Sequence, residues 1–167
     1  DFTVVNVKSR ADRPNIANQS GALVCEGEPF ILISDVTTGS AFNWTNTNTL
    51  ATFTTTSPTL LIDSMSATLA GDWILSITSF GCESETSSPV SVEVESRPSG
   101  IPFFTGGACE GGTIRLNINP ALAGATYQWE DSDGLAAFGR SPEVEVRENY
   151  NVTITSVNGC RTTRQLE

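Results

Sequence analysis

The chain of 167 residues contains no histidine, one lysine, one methionine and two tyrosines. Without histidine a Ser-His-Asp or Cys-His site is excluded, and so is the commonest proton acceptor at neutral pH. Cysteines have no His to complete a zinc site of mixed ligands. A Lys–Asn isopeptide cross-link of the pilin kind needs a buried lysine in every unit, and Lys8 stands alone. No window carries a helical stripe. There is no signal peptide and no apolar run of membrane-spanning length; in a slice of a larger protein, that says nothing of the parent's anchoring.

What the chain does have is 21 threonines and 18 serines, set among alternating apolar residues. Threonine and valine suit half-buried pleated strands, so the composition reads as all-β and too apolar for disorder. Formal net charge is −10, and an acidic, lysine-poor surface repels phosphate backbones, which argues against nucleic acid as a partner.

Two phrases recur. Cys25-Glu26-Gly27-Glu28 returns as Cys109-Glu110-Gly111-Gly112, and Phe80-Gly81-Cys82 returns as Asn158-Gly159-Cys160. One tryptophan lies between each pair, Trp44 and Trp129. Cys25 and Cys109 are 84 positions apart, Trp44 and Trp129 are 85. Val7-Lys8-Ser9-Arg10 also matches Val94-Glu95-Ser96-Arg97. The expected organisation is therefore residues 1–10 as the final strand of a preceding repeat, 11–97 as a first domain, and 98–167 as a second domain that lacks its last strand. Two disulfides, Cys25–Cys82 and Cys109–Cys160, are the economical pairing. They imply an oxidising, extracellular setting, and each is worth roughly 4 kcal/mol in the chain-entropy picture.

Short period-two runs separated by Gly, Pro, Asn and Ser predict two tandem immunoglobulin-like β-sandwiches. Trp44 follows Leu32 by twelve residues and Trp129 follows Leu116 by thirteen, the interval expected between strands B and C. Trp73 and Tyr150 fall at the corner before strand F. Two residues on, Leu75 and Val152 occupy the place of an antibody domain's second cysteine, so the aliphatic pairs Leu32 with Leu75 and Leu116 with Val152 replace the buried bridge. The cysteines lie before strand B and after strand F, which predicts one disulfide near one end of each sandwich.

These residues resemble the Ig-like or PKD-like tandem repeats of Bacteroidota cell-surface proteins. Residues 25–28, 44, 71–73, 81–82 and 90–94 follow the order of that family's C-x-G-x, W, G-x-Y, G-C and V-x-V motifs, as do 109–112, 129, 150 and 159–160. Trp73 departs from it at the corner tyrosine, and no glycine precedes Tyr150. Such repeats occur in adhesins exported by the type 9 secretion system, including gliding-motility adhesins. The resemblance implies a non-catalytic, structural or adhesive module at the cell surface, with neighbouring repeats of the same protein as partners and no membrane insertion in this segment. Surface glycan or protein ligands, or a place beside a secreted enzyme, are the alternatives.

Several smaller features read two ways. Glu130, Asp131 and Asp133 precede Gly134 as in calcium loops, so weak structural Ca2+ stands beside a plain hairpin turn; no other cofactor is implied. Phe103, Phe104 and Phe138 suit a sugar-stacking or protein-contact patch, with a packed domain junction as the other reading for Phe103-Phe104. Asp63-Ser64-Met65 fits either O-glycosylation at Ser64 or a polar strand end. Thr3, Val4, Val5, Asn6 and Val7 have the pattern of a final strand. They are either the remnant of a cut domain or a donor strand that completes residues 98–167 of another copy, head to tail.

Overall fold

The computed structural model describes residues 3, 6–134 and 136–166. The chain forms two compact units, Asp1–Glu95 and Ser96–Glu167. The first contains β1 (Ile16–Asn18), β2 (Leu23–Cys25), β3 (Phe30–Ser34), β4 (Ala41–Asn46), β5 (Thr52–Thr55), β6 (Thr59–Ile62), β7 (Gly71–Ser79), β8 (Cys82–Glu83) and β9 (Val90–Glu95). One sheet has the order β1-β3-β6; the other has β2-β9-β7-β4-β5, with β8 on the end of β7. The second unit contains β10 (Ile101–Thr105), β11 (Thr113–Asn119), β12 (Thr126–Asp131), β13 (Ala136–Phe138), β14 (Glu143–Glu145), β15 (Tyr150–Thr155) and β16 (Arg161–Gln165). Its sheets are β10-β11-β14 and β13-β12-β15-β16. Both units are Ig-like sandwiches, with β3 and β11 as strand B, β4 and β12 as C, and β7 and β15 as F.

Alternation decides which residues go inside. In β4 and β12 every second side chain is buried, as the pleat requires when one sheet face is covered. Leu32, Trp44, Trp73 and Leu75 share one apolar cluster, and Leu116, Trp129, Tyr150 and Val152 share the other. Trp44 stands opposite Leu75 on one neighbouring strand and Phe53 on the other. Trp129 likewise stands opposite Val152 and Ala137. Each indole N–H is satisfied, Trp44 donating to Thr55 Oγ1 and Trp129 to the Gly139 carbonyl. Burying a large aromatic without orphaning its donor gives the sandwich its centre.

The corners use different residues for one task. Trp73 Nε1 donates to the Leu69 carbonyl at 3.2 Å, and the Tyr150 hydroxyl donates to the Glu145 carbonyl at 2.6 Å. Opposite these corner residues lie Asn46 and Asp131, also repeat equivalents. Fully buried Asn46 donates to the carbonyls of Leu69 and Ala70 and accepts from the N–H groups of Asn48 and Thr49. Asp131 accepts from Asp133 N–H but has no N–H to give; the Arg147 guanidinium approaches it at 3.9 Å instead. Burial pushes the Tyr150 phenol above its usual value, Asp131 and Glu145 adding to the rise and Arg147 opposing it.

Two expectations are overturned. Neither Cys25–Cys82 nor Cys109–Cys160 forms: Cys82 and Cys109 are free thiols, while Cys25 and Cys160 are disulfide-bonded. The reason is strand direction. β9 runs antiparallel to β7, Gly71 facing Val92, and β2 runs parallel to β9, Cys25 facing Glu95. Cys25 therefore lies beyond the first residue of β7, whereas Cys82 follows the last one, facing Ser79. β7 is nine residues long, roughly 30 Å of extended chain, while a disulfide spans less than about 7 Å between Cα atoms. In the second unit the Val146 N–H bonds the Gly112 carbonyl, and Gly112 N–H that of Cys109, which holds Cys109 near the start of β15. Cys160 follows its end, roughly 20 Å away along a six-residue strand. Strands B and F run the same way, so "before B" and "after F" are opposite ends.

The second unit also has its last strand. β16 pairs along β15 from Thr155↔Arg161 to Asn151↔Gln165, and Leu166 N–H continues to the Tyr150 carbonyl. Its residues, Arg-Thr-Thr-Arg-Gln, carry no apolar alternation because they are mostly solvent-facing. The open edge on β15 that a donor strand would fill is thus occupied. Of the proposed donor residues, Val4 and Val5 lie outside the described residues, and Thr3, Asn6 and Val7 are exposed and outside strands.

The Asn46 network makes a specific prediction. In N46D the carboxylate would face the Leu69 and Ala70 carbonyls with no guanidinium beside it, a loss of about 3 kcal/mol at pH 7. The buried carboxyl's folded-state pKa is then raised, so the proton is held more tightly in the native state and the loss shrinks as pH falls. Urea unfolding followed by tryptophan fluorescence at pH 7 and pH 4 measures both.

Candidate functional site

At one end of the first unit the backbone takes an uncommon turn. β7 and β8 are joined by Phe80 and Gly81, both at positive φ (49° and 81°), the signature of a type I′ hairpin turn. Glycine and asparagine adopt that conformation readily; an L-residue with a bulky side chain does so at a cost of roughly 1–2 kcal/mol. Phe80 is nonetheless there, and 72% exposed. The Lys8 ammonium lies 5.2 Å from its ring centroid, a cation–π distance.

Beside Phe80 opens a cavity of about 720 Å³, whose wall includes Arg10, Asp12, Thr38, Ser40 and Ser79. Its frame is pinned from several sides. Ser40 donates from both its N–H and its hydroxyl to the Thr78 carbonyl. Gly39 permits this approach, since a Cβ there would come within 2.5 Å of Ile77 Cγ2. Asn15 holds both oxygens of Asp35, through its backbone N–H and its side-chain amide, each at 2.8 Å; these bonds lower the Asp35 pKa. Arg13 Nε donates to the Thr86 carbonyl at 2.8 Å, tying residues 11–15 to the stretch between β8 and β9. That stretch is anchored by Ser84 and Ser87, each pairing N–H and Oγ with one residue of β7, Ile77 and Leu75 respectively. The result is a fixed recess combining an aromatic face, hydroxyls and one charge of each sign. Such a surface can bind by stacking and hydrogen bonding.

The other residues singled out above fall elsewhere. Glu130 and Asp131 are adjacent on β12 and point to opposite faces, Glu130 exposed and accepting from Gln128, Asp131 buried. Asp133 lies 3.6 Å from Arg147. The three oxygens therefore do not converge, and no group of three metal-ligating side chains occurs among the described residues. Ser64 is exposed at a bend just past β6, next to buried Met65. Phe103 and Phe104 sit on β10, 42% and 40% exposed. Phe138, on β13, lines a shallow recess of about 360 Å³ with Tyr127 and Arg140. Phe80 itself was not a sequence candidate. Its signal was Phe-Gly standing where the second unit has the ordinary turn pair Asn158-Gly159.

No protein-family model matches the chain, and no curated protein matches it in sequence. Solved structures do. The human OSCAR ligand-binding domain is 12% identical, with 93% of this chain and 96% of that chain covered at a TM-score of 0.42. A chain of the mouse coronavirus receptor-binding domain complexed with its murine receptor is 15% identical, covering 92% and 96% at 0.43. The three N-terminal domains of the bacteriophage RB49 outer capsid protein Hoc are 12% identical, covering 92% and 58% at 0.46. These likenesses concern the fold alone.

Replacing Phe80 by asparagine removes the turn strain along with the weaker, exposed cation–π contact. F80N should raise the unfolding free energy of the first unit by about 1 kcal/mol, measured by urea unfolding.

Proposed function

We propose that this chain is a non-catalytic extracellular module: two Ig-like repeats, residues 11–97 and 98–167, that give length to a larger bacterial surface protein and add a contact point of their own. The observation that carries the reading is one frame built twice, with the same tryptophan centre, the same corner bond and the same cysteine positions. Cys25 and Cys160 are disulfide-bonded, which fits an oxidising compartment. The net charge of −10 with a single lysine keeps such a surface soluble at high local density. The motif order described above supports a place among the exported repeat proteins of Bacteroidota.

A specific binding role is favoured by Phe80. Phe80, like Leu50, is a bulky residue held at positive φ and left exposed; strain of that kind concentrates at ligand sites, and of the two only Phe80 lines the recess. The recess beside it, with hydroxyls, a guanidinium and a carboxylate around one aromatic ring, suits a surface glycan or a polar peptide.

Beads coated with the chain should adhere to glycan- or cell-coated surfaces, and F80N beads should lose that adhesion at least tenfold while the variant stays folded. Equal adhesion by both would place the contact elsewhere, and adhesion by neither would leave the chain a spacer.

A further inference from the structure

Lys8, Arg10 and Arg13 are the only basic side chains among residues 1–95, whereas the acidic ones run from Asp12 through to Glu95. Charges that served solubility alone would be interspersed over the surface. Here the positive ones gather around the exposed Phe80 ring. Arg10 lies in the wall of the recess together with Asp12, and the Lys8 ammonium stands 5.2 Å from the ring centroid. Arg13 is engaged by the Thr86 carbonyl and the Ser88 hydroxyl, so it fixes the segment while Lys8 and Arg10 face outward. The field of the remaining acids is screened beyond roughly 8 Å at physiological salt. Local cations therefore decide what the recess attracts.

We propose that this recess binds a carboxylated glycan, a chain of uronic-acid-type sugars, with Arg10 and Lys8 holding the carboxylate and Phe80 the sugar face. The proposal rests on the binding role read from Phe80 and adds the charge and class of the ligand. Arg10 is available for the task. Its Nη2 lies 3.9 Å from Glu85 Oε1, with side chains 53% and 70% exposed, a separation and exposure at which an ion pair contributes little. A ligand carboxylate replaces Glu85 by accepting two parallel N–H bonds from the guanidinium, the geometry arginine favours. Thr38, Ser40 and Ser79 line the recess with hydroxyls, and Asp12 supplies an acceptor for those of the ligand. A carboxylate, several hydroxyls and an apolar C–H face occur together in a uronic acid; an acidic peptide brings the carboxylate without the hydroxyls. The cavity of about 720 Å³ falls within the roughly 300–1,000 Å³ usual for small-ligand sites.

The test measures binding of the full chain, by surface plasmon resonance at about 0.15 M ionic strength, to immobilised polygalacturonate, its fully methyl-esterified form and poly-L-glutamate. Wild type should bind polygalacturonate roughly tenfold more tightly than either of the others, the difference one charge-assisted pair makes. K8Q and R10Q should each weaken that binding about three- to tenfold. R115Q, which removes an exposed arginine of the second unit, should leave it unchanged. Equal binding of the methyl ester, lost in F80N, would keep the recess as a sugar site and overturn the role of charge. Equal or tighter binding of poly-L-glutamate would overturn the sugar class in favour of an acidic peptide. Binding that survives both K8Q and R10Q, that falls equally in R115Q, or that is absent from all three polymers would overturn the proposal outright. The adhesion of F80N beads still reports separately on the binding role itself.

Discussion

Each sandwich is held by its own apolar centre, and strand direction is what makes that necessary. Strands B and F point the same way, so a cysteine before B and a cysteine after F cannot meet. With no bridge of its own, each unit depends on a tryptophan flanked by strand F on one side and by β5 or β13 on the other, Trp44 by Leu75 and Phe53, Trp129 by Val152 and Ala137. Leu32 and Leu116 add the facing sheet's contribution to each cluster. Burial of such side chains is worth roughly 1.5–3 kcal/mol apiece, comparable with the staple each unit forgoes. The cysteines are thereby released from holding the domain.

The polar interior follows the same division. Where a strand end must be buried beside the corner, the first unit uses a neutral amide with both donors and acceptors filled. The second uses a carboxylate, and the change brings Arg147 with it, reaching Asp131, Asp133 and Glu145. An acidic sequence that resembles a cation loop is here a carboxylate and its guanidinium. Glu130 and Asp131 point to opposite faces of β12, so the three acids do not assemble as ligands.

Much of this was legible from residue order. Alternation located Trp44, Trp129, Leu75 and Val152 because a pleated strand leaves no other face for an apolar residue. The corner places of Trp73 and Tyr150 followed from spacing. Order alone does not give direction, however, and the cysteine pairing turned on direction. β16 was illegible for a different reason: a mostly exposed edge strand built of polar residues has no apolar alternation to read, and Arg161 to Gln165 carries none. The Phe80 turn was visible only by comparing Phe-Gly with Asn-Gly at the equivalent hairpin, since the cost lies in a backbone angle rather than in composition.

The account stands on the claim that neither sandwich closes its own disulfide. Alkylating the native protein without reductant, then digesting and sequencing by mass spectrometry, tests it directly. Labels on Cys82 and Cys109, with Cys25 and Cys160 labelled only after reduction, are what strand direction predicts. A linked Cys25–Cys82 or Cys109–Cys160 peptide would contradict it.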